Sequence, residues 1–218
     1  MPRMGGMSEG LRERKKRQTR QYISDVATGM FLERGFEAVT IAEIAEAADI
    51  SVNTVYNYFP AKEDLFLDRA SGLTGRLSRF VRGREPGESA AEAVFAGLYE
   101  LIEAVSPTTG LVEGYDLFMK VVHDSHTLKS RLLYLQQEIV DDLARTLREE
   151  TGAGDDEMLP TLVAGQLAWA NGTVMGWIGG RMAAGGVPAE VSREALGLLG
   201  EVEELLSEKV RKYAVREA

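Results

Sequence analysis

Thr40-Ile41-Ala42-Glu43-Ile44-Ala45-Glu46-Ala47-Ala48-Asp49-Ile50-Ser51-Val52-Asn53-Thr54-Val55-Tyr56-Asn57-Tyr58-Phe59-Pro60 holds two helix starts separated by a turn. Thr40 and Glu43 have capping-box spacing: the threonine hydroxyl accepts an amide hydrogen bond while the glutamate reaches back to the cap N–H. A helix therefore starts at Thr40, with Ile41, Ile44, Ala45 and Ala48 as its inner face. Asp49-Ile50-Ser51 reads as a turn followed by a new N-cap at Ser51. The next helix carries Val52 to Tyr58 and ends near Pro60. Two short helices, a tight turn and a polar second cap make a helix-turn-helix pattern. Such a pair can offer the start of its second helix to base edges while amides at helix starts hold phosphates. Helix pairs of this shape also serve as plain packing units. Ser51, Asn53 and Thr54 are small and polar, as close approach to a groove floor requires. Val52 suits a thymine methyl or a packing role. Tyr56, Asn57 and Tyr58 can donate to phosphates or bases, though Tyr56 also suits a half-buried place.

Upstream, Tyr22, Ile23, Val26, Ala27, Met30 and Phe31 recur at three- and four-residue spacing, an apolar helical stripe. Gly35 ends that helix after Arg34, as a left-handed cap would. Before the stripe, Arg12, Arg14, Lys15, Lys16, Arg17 and Arg20 crowd one segment. The net charge is −9, which disfavours nucleic acid only if charge is spread evenly. Here a basic arm precedes an acidic body, so phosphates can be engaged in one orientation; a solvated helix start explains the same cluster. Residues 1–7 are followed by a charged run, so no secretory signal is expected.

The stretch from Thr40 to Ala45 and from Ala48 to Leu65, with Tyr56-x-Tyr58-Phe59 and Lys62-Glu63-x-Leu65, closely resembles the TetR family DNA-binding domain, and Phe31-Leu32-Glu33-Arg34-Gly35-Phe36 resembles that family's helix end. The resemblance covers about the first third of the chain. It implies a dimeric, all-α transcriptional regulator: a three-helix helix-turn-helix domain over residues 1–61 and a helical effector-binding and dimerisation domain over residues 62–218. It also implies roles. Thr40 would contact phosphate, while Ser51, Val52, Asn53 and Thr54 face the major groove. Tyr56 and Asn57 would reach bases or backbone. Tyr58 and Lys62 would clamp phosphates, with Arg17 and Arg20 near the flanking backbone or minor groove. The family usually has glycine where Asp49 and Asn53 stand. Aspartate tolerates left-handed geometry, and an amide at 53 can read adenine or crowd the groove.

Beyond residue 62 the pattern stays helical. Helices are predicted over residues 62–82, from the capping box Ser89-Ala90-Ala91-Glu92 to Ser106-Pro107, and over residues 111–122, 127–150, 157–184 and 190–214, with no strand. Leu159 to Gly180 contains no charged residue. Gly165, Ala168, Gly172, Gly176 and Gly180 form a small-residue face within it, and polar residues argue for a helix packed on all sides rather than a membrane span. Leu198, Val202, Leu205 and Leu206 supply a partner stripe, so an isologous homodimer is expected through Gly165, Ala168, Gly172, Gly176 and these four; ordinary intrachain packing is the competing use. Phe95, Tyr99, Tyr115, Phe118, Met119, Tyr134, Trp169, Met175 and Trp177, with Asn171, Gln166 and His123, are pocket candidates for a small, largely apolar or aromatic effector; each aromatic equally suits plain core.

The chain has no cysteine, which excludes disulfides and thiolate metal sites and fits a cytoplasmic protein. His123 and His126, the two histidines, have helical ligand spacing but fall at a predicted helix break with no third ligand, so no metal or other cofactor is expected. Nucleophile elbows and phosphate loops are absent from the sequence, which argues against an enzyme. A protein–protein adaptor would use the same helical faces without DNA. The favoured reading is a repressor released from a palindromic double-stranded operator by its effector.

Overall fold

The computed structural model describes residues 10–217, and at residues 69–71 only the backbone. The segment read as lacking a secretory signal, residues 1–7, lies outside the described residues. Among these residues every regular element is helical. Contacts divide the chain into two compact units, Met1–Asp68 and Arg69–Ala218.

The first unit holds α1 (Leu11–Arg34), α2 (Ile41–Ala47), α3 (Val52–Tyr58) and α4 (Lys62–Phe66). Ile23, Ala27 and Phe31 of α1 are fully buried, and Ser24 is buried with its hydroxyl donating to the Leu65 carbonyl at 3.0 Å. Tyr22, counted in the stripe, instead faces outward at 52 % exposure. Both halves of the Thr40–Glu43 capping box form. Asp49 takes a φ of +53° and so makes the turn between α2 and α3. Gly35 has φ +84° but an extended ψ of 156°; it leads the chain away rather than closing a left-handed cap. Phe31 is the hub, 5.0 Å from Phe36 and edge-on to Phe66 at 5.7 Å, ring centre to ring centre.

The helix predicted over residues 62–82 is broken. α4 is followed by a 3-10 segment, Asp68–Leu73, and by α5 (Arg76–Gly83). Gly72 and Gly75 weaken helix propagation between them. Leu65 and Phe66 are buried in the first unit's core, so α4 belongs there and the boundary falls after Asp68 rather than after residue 61.

The second unit continues with α6 (Ala90–Glu103), α7 (Tyr115–Asp124), α8 (His126–Thr151), α9 (Leu159–Ala183), α10 (Pro188–Glu204) and α11 (Glu208–Arg211). α8 and α9 pack along each other, and α6 lies against α5 and α10. Leu98, Ile102, Leu143, Leu147, Leu167, Val174 and Leu199 fill the space between them. An ideal Cβ on Gly97 would stand 2.5 Å from the Phe80 ring, so only glycine lets α5 and α6 approach this closely.

Three expectations need correction here. α7 starts at Tyr115, not near Leu111, because Gly110 and Gly114 both take positive φ and Leu111 turns into the core. The last long helix stops at Glu204, and Ser207 caps α11 by accepting from the Val210 N–H. α9 is not packed on all sides: Leu162 and Trp169 are 57 % and 51 % exposed. No helix among the described residues is long and apolar enough to cross a membrane.

Candidate nucleic-acid interface

α3 spans seven residues, and its buried side chain is Val55, with Phe59 following at the cap. That i, i+4 pair fixes which side faces inward. Ser51, Val52, Asn53, Tyr56 and Asn57 are consequently exposed, and Thr54 and Tyr58 are half-buried. The Ser51 hydroxyl accepts from the Thr54 N–H at 3.0 Å, and the two hydroxyls lie 2.8 Å apart. Asn53, Tyr56 and Asn57 make no side-chain hydrogen bond within the described residues, so one edge of α3 offers unused donors and acceptors on a capped helix.

Thr40 is placed differently from its expected role. Its hydroxyl donates to Glu43 Oε2 at 2.7 Å and accepts from the Glu43 N–H at 3.2 Å, and Arg34 pairs with the same carboxylate. A phosphate at this helix start would therefore meet backbone amides rather than the Thr40 O–H. The Arg34 hydrogen bond, then those of Thr40, hold the Glu43 carboxyl down at about 2. A carboxyl lowered in the folded state stabilises above its ordinary pKa of about 4.5, and that contribution is lost as pH falls through about 2. Thr40→Ala should accordingly make the fall in melting temperature between pH 5 and pH 2 shallower than in the wild type; parallel profiles would contradict this account.

The basic residues separate into two kinds. Arg12, Arg14, Lys15, Lys16 and Arg17 are exposed along the start of α1. Arg20 is held inward: it pairs with Asp68 at 2.8 Å, donates to the Tyr58 carbonyl and lies 4.3 Å over the Phe59 ring. It clasps the end of α3 to α1. The Lys62 ammonium sits 4.4 Å over the Phe36 ring, and partial burial lowers its pKa against the pull of Glu37, Glu63 and Glu43.

Residues 23–68, from the core-facing part of α1 to the end of the first unit, match the model of the tetR family of bacterial regulatory proteins. The transcriptional regulator TcmR of Streptomyces glaucescens is 28 % identical over 160 residues, 71 % of this chain and 70 % of TcmR. The repressor KstR of Mycolicibacterium smegmatis is 42 % identical over 60 residues, 28 % of this chain and 27 % of KstR. Residues 23–68 form a TetR-family domain. Among solved structures, the SmeT–triclosan complex is similar over 88 % of this chain and 94 % of SmeT, with a TM-score of 0.56 at 17 % identity. NalD of Pseudomonas aeruginosa is similar over 85 % and 97 %, with a TM-score of 0.53 at 17 % identity. These likenesses carry the fold: a helix-turn-helix unit followed by a helical one. With that domain at its N-terminal end, the chain is a DNA-binding transcription regulator.

In the second unit the pocket candidates do not converge as one set. Phe95 is buried in α6 and borders a groove of about 320 Å³ with Ala91, Glu92, Glu203, Glu208, Arg211 and Lys212. The Tyr99 hydroxyl points to Glu203 at 3.5 Å. Tyr115 stacks on Phe118 at 5.9 Å, and an ideal Cβ on Gly179 would lie 3.2 Å from its hydroxyl. Met119 and Trp177 are half-buried, Trp177 with Arg181 5.6 Å over its ring. The Asn171 Oδ1 is buried without a hydrogen-bond partner. His123 and Tyr134 face outward, as does Trp169. His123 and His126 flank the break at Ser125, and no cluster of three metal-ligating side chains occurs among the described residues.

The dimer candidates also divide. Val202 and Leu206, at 3 % and 5 % exposure, belong to the unit's own core, as does Ala168; the α10 stripe packs inward. Gly165, Gly172 and Gly176 have open space where a Cβ would stand, and Leu205 is 73 % exposed. Leu198 is half-buried. Leu162 and Trp169 share the outer side of α9, an i, i+7 relation readable in the sequence but masked there by the apolarity of the whole helix.

Proposed function

We propose that the protein is a cytoplasmic homodimeric repressor that holds a palindromic operator and releases it when a small, largely apolar or aromatic effector binds the second unit. The observation that carries this is the free polar edge of α3, Asn53, Tyr56 and Asn57, on a helix capped by Ser51 and clasped by Arg20. One helix-turn-helix holds DNA weakly, and a dimer reads two half-sites. The apolar and glycine side of α9, with Leu162 and Trp169, supports self-association, because an exposed patch of this kind is uncommon on a monomer. Ser51, Val52, Asn53 and Thr54 face the major groove. Tyr56, Asn57, Tyr58, Lys62 and Arg17 contact bases or phosphates, and Thr40 contributes through the amides that follow it. The effector lies against Tyr115, Phe118 and neighbouring side chains, a seat of the kind that the SmeT–triclosan complex supports by likeness of fold. Effector must bind the DNA-free form more tightly, since only differential affinity shifts the population.

The test is to incubate the protein with fragmented source DNA at physiological salt and sequence what it retains. A palindromic site is expected. No enriched site, with or without candidate effectors, would overturn the reading. On that site Lys62→Ala should weaken binding to all sequences and lower the salt slope by about one. Asn53→Ala should instead change base preference at one position, by about 1–3 kcal/mol. An unchanged preference would remove Asn53 from base reading.

A further inference from the structure

The second unit buries two arginines, Arg76 and Arg84, and they are treated oppositely. Arg84 meets the Glu150 carboxylate at 2.7 Å and the carbonyls of Val81 and Ala214. That is how a structural guanidinium is satisfied. Arg76 is 7 % exposed, yet among the described residues its one hydrogen bond runs from Nη2 to the Thr108 carbonyl at 2.7 Å. No carboxylate of the described residues pairs with it. Asp142, which comes within 3.9 Å of an ideal Cβ on Gly75, is engaged by Ser78 and Arg145. The surroundings share the sign of Arg76: it occupies the first position of α5, where the helix dipole disfavours a cation, and Arg79 stands one turn on. Burial first, then the Arg79 charge, draw its pKa down to about 10, so it stays charged at neutral pH.

The enclosed side-chain atoms left without a partner among the described residues are Arg148 Nε and Asn171 Oδ1, so the other Arg76 nitrogens reach the surface, where an anion can meet them. The position of Arg76 explains what it serves. Thr108 lies in the 3-10 turn Pro107–Thr109, and the next residue, Gly110, packs on the Tyr115 ring, at 3.3 Å from an ideal Cβ. Tyr115 in turn stacks on Phe118. Its hydroxyl makes no hydrogen bond within the described residues, and burial raises its pKa. A guanidinium with four N–H donors unused among the described residues, a phenol O–H and two stacked rings thus attach to one turn.

We propose that Arg76 is the anion-recognising residue of the effector site, and that the effector is an organic acid whose carboxylate sits on the Arg76 guanidinium while its apolar body lies against Tyr115. This rests on the second unit being the effector-binding one. Planar pairing of guanidinium and carboxylate gives both strength and direction.

The test uses the full chain and two fluorescent probes that differ by one anionic group: 1-anilinonaphthalene-8-sulfonate and its neutral counterpart N-phenyl-1-naphthylamine. The wild type should prefer the sulfonate by about tenfold or more. Arg76→Gln should cut that preference to about threefold or less by weakening the sulfonate alone; unchanged binding of the neutral probe reports an intact apolar wall. Arg76→Lys should retain part of the preference, and Arg79→Gln, at an exposed neighbour, nearly all of it. An equal preference in wild type and Arg76→Gln overturns the assignment, as does absence of sulfonate binding to the wild type. Retention of operator DNA is measured in parallel. A sulfonate preference that depends on Arg76 but leaves DNA binding untouched upholds the anion site and counts against effector-driven release.

Discussion

Phe31→Ala should abolish operator binding while leaving the second unit folded. Phe31 is fully buried and touches both Phe36 and Phe66, so it joins α1, the loop to α2 and α4 in a single contact. Truncating a buried phenylalanine to alanine costs about 3–5 kcal/mol, because the lost transfer energy is joined by a cavity that the surroundings fill incompletely. A unit as small as Met1–Asp68 buries a modest share of its surface, and its entire stability is on the order of that cost. The Arg20 clasp depends on the same packing: Asp68 and Phe59 stay in reach only while α4 and the end of α3 stay docked on α1. The second unit has its own core around Leu98, Leu143 and Leu167. The expected result is loss of DNA retention together with a separate low-temperature transition in circular dichroism, while association state and the main transition persist. A single transition lowered by a few degrees, with DNA binding intact, would show that Phe31 is not the hub. Tyr22→Ala, on the outer face of the same helix, should stay within about 0.5 kcal/mol.

What was legible in the sequence was local. Thr40 with Glu43, Ser89 with Glu92, and Ser51 before Val52 each declare a helix start because the cap and its amide partner lie within four residues. Asp49 declares its turn for the same reason, and the outward edge of α3 follows once Val55 and Phe59 are known to point in. What was hidden depends on distant partners. Tyr22 and Ile23 are adjacent and both apolar; which of them turns inward is decided by the elements that pack on α1. Leu198, Val202, Leu205 and Leu206 read as one stripe, but Val202 and Leu206 join the second unit's core, and the break before Ser207 leaves Leu205 outside. α9 has no charged residue between Leu159 and Gly180, so its sequence carries no direction, and Trp169, a pocket candidate by its chemistry, faces outward. Arg20 and Arg76 were hidden in opposite ways. A basic residue in a basic arm gives no sign that it closes a packing clasp, and an arginine after glycine gives no sign of burial.

Arg84→Met should destabilise the second unit by about 3 kcal/mol and loosen the C-terminal end that carries part of the proposed dimer face. The Arg84 side chain is 2 % exposed and the Glu150 side chain 30 %. Its guanidinium joins three places far apart in sequence: the end of α5 at Val81, the end of α8 at Glu150 and the terminal segment at Ala214. Around it the terminal segment is laced to the loop between α5 and α6, by Gly87 N–H to the Arg216 carbonyl at 2.9 Å, Arg216 N–H to the Glu88 carbonyl at 3.0 Å and Ala90 N–H to the Tyr213 carbonyl at 3.1 Å. Methionine fills a similar volume without a donor, so the change leaves a carboxylate and two carbonyls without their common partner. Because Glu150 can regain water on its exposed side, the cost falls at the lower end of the range for breaking a buried pair. Glu150→Gln keeps an acceptor for Arg84 and should cost about 1 kcal/mol. Thermal melting of both variants reads the difference, and amide exchange should speed up first at Gly87, Ala90 and Arg216, with the core of α6 unaffected. Equal melting temperatures for Arg84→Met and the wild type would mean that the laced backbone holds the terminus by itself. Weaker self-association of Arg84→Met, at temperatures where the rest of the unit is folded, would tie this latch to the surface just past α10, where Leu205 stands exposed.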